Sequence, residues 1–239
     1  MKAILLAAGF GSRLRPLTNN IPKCLVPIHG KPLLEIWLER LAAVGISSCL
    51  VNTHYLSDQV VDFIASSPFC KYVTLVYEPT LLGTAGTLNA NLDFLQGEDG
   101  WLIHADNYCL ADFKEFLNVH QHRPKECLMT VMAFRTLTPQ SCGILELNDQ
   151  GIVVGFHEKV SNPPGNLASG AVYLLSSEFL NNYPSQMGTM KDFSTEVIPT
   201  QIGKIFCYET QNVFIDVGTP ESYQQANRVR NYDLRSQVS

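Results

Sequence analysis

Apolar residues in this chain fall in short blocks parted by polar, turn-forming stretches. Lys2–Ala7 is an apolar run of strand length, and Gly9-Phe10-Gly11-Ser12 follows it. Pro32 opens a pattern in which Leu33, Leu34, Ile36, Trp37, Leu41 and Val44 fall near helical spacing, with Gly45 as its stop. Ser48–Asn52 reads as a strand, Ser57 as the cap of a helix reaching Ser66, Tyr72–Tyr77 as a strand and Thr84–Leu95 as a helix. Trp101–Ala105 predicts a strand that ends at Asp106, and Asp112–His122 a helix. This alternation predicts an α/β fold: a mixed, mostly parallel sheet flanked by helices on both faces.

The connections then shorten. Cys127–Phe134, Gly143–Leu147, Ile152–Phe156, Ala171–Leu175, Ile205–Tyr208 and Val213–Asp216 read as strands, and Phe193–Ile198 as a short helix. Thr219-Pro220 starts a final helix, Ser161–Gly165 is a turn-rich surface loop, and the polar tail Asp233–Ser239 is expected to fray. A single domain over 1–239 is expected, with a first half to residue 125 and a second half over 126–239 that includes the closing helix.

Composition narrows the classes. With 239 residues and 46% hydrophobic content, the chain can build one sizeable core, and its composition argues against disorder. No apolar run is long enough to span a bilayer, so no membrane partner is expected. The N-terminal run is too short for a signal peptide, and Arg13 and Arg15 stand where cleavage would occur. Seven widely spaced cysteines without a Cys-x-x-Cys pair predict neither a zinc site nor a disulfide framework, and point to a cytoplasmic location.

The net charge of −5 argues against a nucleic-acid partner. Its distribution says more. Residues 1–34 hold Lys2, Arg13, Arg15, Lys23 and Lys31 and no acid, so this segment carries +5 and the remainder −10. A basic opening on an acidic protein points to a local anion site.

The turn after the first strand runs Gly9-Phe10-Gly11-Ser12-Arg13-Leu14-Arg15-Pro16-Leu17-Thr18, with Pro22-Lys23 beyond it. Glycines let a backbone approach phosphate closely, and successive N–H groups can cradle its oxygens. A dinucleotide fingerprint needs a third glycine at position 14, where leucine stands. A Walker loop needs Gly-Lys-Ser/Thr, and Ser-Arg follows the second glycine here. What remains is a glycine turn armed with two cations, Arg13 and Lys23. Arginine can grip two phosphate oxygens at once, whereas lysine supplies a compact charge.

The whole string, Leu6-Ala7-Ala8-Gly9-x-Gly11-Ser12-Arg13-Leu14-x-Pro16-Leu17-Thr18 and then Pro22-Lys23-x-Leu25-Val26-Pro27, resembles the signature of the sugar-phosphate nucleotidylyltransferase family. The resemblance runs through nearly the whole chain. Glu78 with Leu82-Gly83-Thr84-Ala85-Gly86, His104-Ala105-Asp106, Phe156-His157-Glu158-Lys159 and Phe214-Ile215-Asp216-Val217-Gly218-Thr219-Pro220 are similar to its later motifs. It implies a Rossmann-like fold of the nucleotide-diphospho-sugar transferase type.

Carried over residue by residue, the resemblance implies that Leu6, Ala8, Gly9, Gly11, Ser12, Glu78, Gly83 and Thr84 bind the nucleotide. Arg13 and Lys23 are the implied catalytic cations. His104, Gly143, Glu158, Lys159 and Ser169 are the implied sugar-phosphate contacts, and Asp106 and Asp216 the implied ligands of Mg2+. Val160, Cys24, His104-Ala105 and Ser169-Gly170-Ala171 depart from the family pattern, while the cation and carboxylate positions keep it.

The implied chemistry is transfer of a nucleoside monophosphate from a nucleoside triphosphate to a sugar-1-phosphate, with release of pyrophosphate. The acceptor phosphate has its second pKa near about 6, is mostly dianionic at neutral pH and needs no general base. Charge repulsion is the obstacle, so catalysis should rest on alignment and neutralisation.

The overall look is nearest short bacterial-type enzymes that use GTP with mannose- or heptose-1-phosphate. UTP or dTTP with glucose-1-phosphate, or an amino-sugar phosphate, is the alternative, and a catalytically silent nucleotide-sugar-binding regulatory subunit is the rival of another class. The family's additional C-terminal β-helix domain is expected to be absent, and a homodimer is left open. Asn52 and His54, at a strand end, are further candidate contacts. His120 and His122, on a polar helix end, are expected to be exposed, and Trp37 to be core.

Overall fold

The computed structural model describes residues 1–229. The strands are β1 (Lys2–Leu6), β2 (Pro27–Ile28), β3 (Lys31–Pro32), β4 (Cys49–Thr53), β5 (Val73–Tyr77), β6 (Gly100–His104), β7 (Asn107–Cys109), β8 (Met129–Arg135), β9 (Gly143–Leu147), β10 (Val153–Glu158), β11 (Leu167–Leu175), β12 (Ile205–Glu209) and β13 (Phe214–Asp216). The helices are α1 (Leu33–Ala43), α2 (Ser57–Ser66), α3 (Thr84–Ala90), α4 (Leu92–Leu95), α5 (Phe113–Gln121), α6 (Ser177–Met187), α7 (Ile198–Thr200) and α8 (Pro220–Arg228), with a π-helical turn over Phe193–Val197 before α7.

One nine-stranded sheet carries the molecule in the order β10-β9-β11-β6-β1-β4-β5, with β8 pairing to β11 and β12. The central strands β6, β1, β4 and β5 run parallel. β11 closes on β6 in the antiparallel sense and makes the sheet mixed.

The physical reason for β1's unbroken apolar run is that both of its faces are covered. Ala3 and Leu5 join a cluster with Trp37, Leu41, Val51, Trp101 and Phe116. Ile4, one step out of phase, joins Leu50, Leu88, Leu102, Tyr173 and Phe179 on the other face. Each such fully buried aliphatic side chain contributes about 1.5–3 kcal/mol. A third cluster of Leu14, Val26, Leu33, Tyr108, Ile215 and Ala226 seats α8 against the short strands near the start of the chain.

Several expectations change. Leu56, in the left-handed region at φ 50, precedes α2, and Ser57 is the helix's first residue without a capping bond. The single helix Thr84–Leu95 is two, because Asn91 leaves helical geometry and its amide donates to the Thr87 carbonyl at 2.8 Å. α6 carries no signal in the hydrophobic pattern and contains Pro184, yet Ser176 caps it by accepting from the N–H of Phe179. His120 is fully buried, its Nδ1 2.8 Å from Thr130 Oγ1, whereas His122 is exposed as expected. Trp37 is core. The tail from Asp233 lies outside the described residues.

The chain leaves β1 toward β4 on one side and reaches β6 on the other. Loops following the central strands therefore diverge at their carboxyl ends, and the crevice between them is where open α/β sheets bind ligands.

Candidate active site

The turn after β1 is held open by its own hydrogen bonds. Gly11 sits at φ 62, and a Cβ there would come within 2.9 Å of Thr18 Cγ2. Its carbonyl accepts from the Leu14 N–H at 2.9 Å and from Thr18 Oγ1 at 2.7 Å. The N–H groups of Gly9, Phe10, Gly11 and Ser12 donate to no protein acceptor among the described residues. The Phe10 ring meets His54 edge-on at 5.4 Å, and the Tyr55 hydroxyl donates to the Thr18 carbonyl at 3.0 Å. These contacts fix the turn from the side of β4.

Three distant segments converge beside it. Lys23, its side chain 9% exposed, places Nζ 2.6 Å from Asp106 Oδ2 and 3.7 Å from Asp216 Oδ1. Arg13 reaches the other oxygen of Asp216 at 3.8 Å. The register of β7 with β13 explains the meeting: Asp216 pairs with Asn107, the residue after Asp106. Burial works against the Asp106 charge, yet the Lys23 ammonium outweighs it and holds the carboxyl below its usual range. Burial also lowers the His104 pKa and favours its neutral ring.

One cavity of 240 Å³ opens on this cluster and is lined by Leu6, Ala8, Gly9, Lys23, Asn52, Glu78, Gly83, Thr84, His104 and Asp106, with Leu81 and Thr87. Glu78 is buried, and its carboxylate accepts from Asn52 Nδ2 at 2.9 Å, Thr87 Oγ1 at 2.5 Å and the Leu82 N–H at 3.1 Å. Asn52 in turn accepts the Ala7 N–H at 2.7 Å. His54 serves this wall from behind, with Nδ1 2.7 Å from the Glu78 carbonyl. Gly11 and Ser12 shape the turn and line neither cavity.

A second cavity of 400 Å³ shares His104 and Asp106 with the first. Arg13, Gly143, Glu158, Lys159, Ser169 and Asp216 line it, so the residues expected to hold a sugar phosphate meet there. Lys159 Nζ lies 3.0 Å from Glu158 Oε1. A side chain at Gly143 would collide with Phe156 and Glu158, which keeps this wall flat. His104 Nε2 is buried at the junction of the two cavities with no hydrogen-bond partner.

Phe214, the first residue of the last motif, also lines the second cavity, as do Asp192, Ser194, Thr195 and Phe134, which no sequence motif marked. The one available signal was weak: Asp192 stands three residues before Thr195, the spacing of a helix cap.

Two carboxylates around one ammonium form a donor set suited to a hard divalent ion, which takes few protein ligands and completes its shell with phosphate and water. Asp106 and Asp216, which meet at the Lys23 ammonium, are residues that could hold one here; among the described residues there is no cluster of three or more His, Cys, Asp or Glu side chains suited to a metal. Among the described residues no helix is long and apolar enough to cross a membrane.

Known proteins share this architecture. A Bacillus anthracis protein of known crystal structure superposes with a TM-score of 0.84 at 23% identity, over 95% of this chain and 94% of that one. HddC from Yersinia pseudotuberculosis does so at 0.77 and 25% identity, over 95% and 97%. In sequence, the chain is 35% identical over 178 residues to a glucose-1-phosphate thymidylyltransferase of Streptomyces griseus, covering 74% of this chain and 49% of that protein. It is 28% identical over 226 residues to a mannose-1-phosphate guanylyltransferase of Mycobacterium tuberculosis, covering 92% and 62%. The chain thus spans less than two thirds of the length of these relatives. The glycine turn, the paired aspartates and the two joined cavities lie within residues 2–231, which match the nucleotidyl transferase family model, and the chain belongs to that family.

Proposed function

We propose that this protein transfers a nucleoside monophosphate from a nucleoside triphosphate to a sugar-1-phosphate, giving a nucleotide sugar and pyrophosphate. The observation that carries the reading is the placement of Lys23 between Asp106 and Asp216 at the junction of two cavities. One cavity borders the glycine turn through Gly9, which supports a triphosphate there, and the other has Lys159 and polar walls, which support a sugar phosphate.

Each residue then has a task. The free N–H groups of Gly9 to Ser12 hold the triphosphate, and Arg13 at the mouth takes the outgoing pyrophosphate. Lys23 lies against the reacting phosphate, and Lys159 holds the acceptor phosphate. Asp106 and Asp216 hold Mg2+, which supplies further neutralisation of the phosphate charge when bound. The acceptor dianion is already a nucleophile, and the protein's work is to align it and to offset repulsion between two anions.

GTP is the favoured donor and a mannose- or heptose-like 1-phosphate the favoured acceptor. The mannose-1-phosphate guanylyltransferase relative supports this pairing. The thymidylyl relative keeps dTTP with glucose-1-phosphate as the second reading.

A matrix of nucleoside triphosphates against sugar-1-phosphates with Mg2+, read by pyrophosphate release, tests both. GTP with a manno-configured acceptor should lead. No turnover with any pair would favour a silent binding subunit. Lys23→Ala and Asp106→Asn should each lower turnover by about two orders of magnitude or more in folded protein.

A further inference from the structure

β5 ends the sheet on the side away from the acceptor half. It pairs with β4, and among the described residues no strand pairs with its other edge. The Cys49 N–H donates to the Tyr72 carbonyl and the Glu78 N–H to the Thr53 carbonyl, each at 2.8 Å. Bonding groups alternate along a strand, so Thr74 and Val76 also face β4. The N–H and C=O groups of Val73, Leu75 and Tyr77 therefore point away from the sheet.

Sheet edges are usually blunted by a charge, a proline, a bulge or a covering segment. Val73-Thr74-Leu75-Val76-Tyr77 has no charge and no proline, and its register with β4 runs without a shift. The opposite edge differs: β10 carries His157 and Glu158, a register shift between Val153 and Gly155, and a bridge from the neighbouring Ile152 to Phe206. The surface around β5 is apolar as well, with Tyr72 49% and Tyr77 58% exposed.

Such an edge is a template for another strand, and its sequence suits its own copy. We infer that two copies of this chain associate through β5, antiparallel about a two-fold axis normal to the sheet. With Leu75 opposite its own counterpart, Val73 falls opposite Tyr77 and Thr74 opposite Val76. Every outward-pointing residue of β5 then meets an outward-pointing residue of the second copy, as an antiparallel ladder requires. Val73 against Tyr77 is a β-branched–aromatic pair, and a two-fold contact forms it twice. Lys71 falls opposite Pro79, so the lysines of the two copies stay apart.

The side chains agree with this register. Val73 and Leu75 pack on the face that holds Trp37, Ile46 and Ile64. At the start of β5 that face carries a cavity of 200 Å³ lined by Leu38, Ala42, Ile46, Cys49, Phe69 and Tyr72. The two-fold axis keeps each face on its own side, so Tyr77 of the second copy stands beside Val73 on the side of this cavity. The contact also borders the nucleotide side: the Tyr77 ring stacks on His54 at 6.4 Å, and His54 Nδ1 meets the Glu78 carbonyl.

Light scattering on the full chain should give twice the mass of one chain, falling toward one on dilution. Cysteine cross-linking then reads the register, with the exposed Cys70 first replaced by serine. Leu75→Cys should oxidise to a covalent dimer, because directly opposite residues of a hydrogen-bonded pair lie about 5.5 Å apart at Cα, within disulfide reach. Thr74→Cys should not, since its counterpart sits two residues off register at about 7–8 Å. Tyr77→Lys, at an exposed side chain, should raise the dissociation constant of the dimer about tenfold or more with an unchanged circular dichroism spectrum. A monomer at every concentration measured would overturn the proposal, even one that captures an extended peptide at β5. So would a dimer indifferent to Tyr77→Lys, one that Leu75→Cys does not lock, or one that both cysteines lock equally. None of these readings depends on turnover, so the proposed activity stands or falls separately.

Discussion

Gly83 shows how much one residue can set. It sits at φ 80, and a Cβ there would run into the Lys191 carbonyl, a backbone group that cannot swing away. Gly83→Ala should cost about 1–3 kcal/mol in urea denaturation and raise the KM for the nucleoside triphosphate. His120 sets a pH response. Burial lowers its pKa against the opposing pull of Asp99, whose Oδ2 is 3.5 Å from Nε2, while Arg123 adds to the lowering. The unfolded chain then binds a proton that the folded one refuses, so stability falls as pH drops below about 6.5, by at most about 1.4 kcal/mol per pH unit for this group. His120→Gln should flatten that part of a stability-versus-pH curve measured by urea midpoints. Residues of this kind divide by how legible they were. The turn from Gly9 to Lys23 is contiguous, so its chemistry could be read directly from the chain. The buried state of His120 depends on neighbours far away in sequence, and the place of Asp192 beside the second cavity showed locally only as the spacing of a helix cap.

Elements were legible where both faces of a strand or one face of a helix are apolar, as in β1, β6 and α1. They were lost where a polar side chain breaks the ladder, as at Asn91, or where proline interrupts an otherwise stable helix, as in α6. The three-residue strand β7 was equally invisible, yet its pairing with β13 sets where Asp216 lies. α8 secures that arrangement through a capping box, with Thr219 Oγ1 accepting the Ser222 N–H at 3.3 Å and Ser222 Oγ accepting the Thr219 N–H at 3.0 Å. Thr219→Ala should lower stability by about 1 kcal/mol in thermal or urea melts. Since α8 packs behind β13, the same change should loosen Asp216 and raise the Mg2+ concentration needed for half-maximal turnover.

At the scale of the molecule, the parallel centre of the sheet brings the turn after β1 and Asp106 after β6 to one crevice, and a second half that is antiparallel except for the β8–β12 pair walls the acceptor side. The α/β class was readable from strand–helix alternation. The convergence of Asp106 with Asp216 was not, because no local pattern encodes a meeting of residues so far apart. Chelation with EDTA should abolish pyrophosphate release and leave the melting temperature unchanged. Lys23 is the reason. Its ammonium already screens the two acids from each other, so the crevice resembles a socket with its own plug. Any incoming ion must dislodge that plug, and it arrives most readily when polyphosphate offers the lysine a new anion to hold. Donor and metal should therefore enter together, and metal alone should associate only weakly.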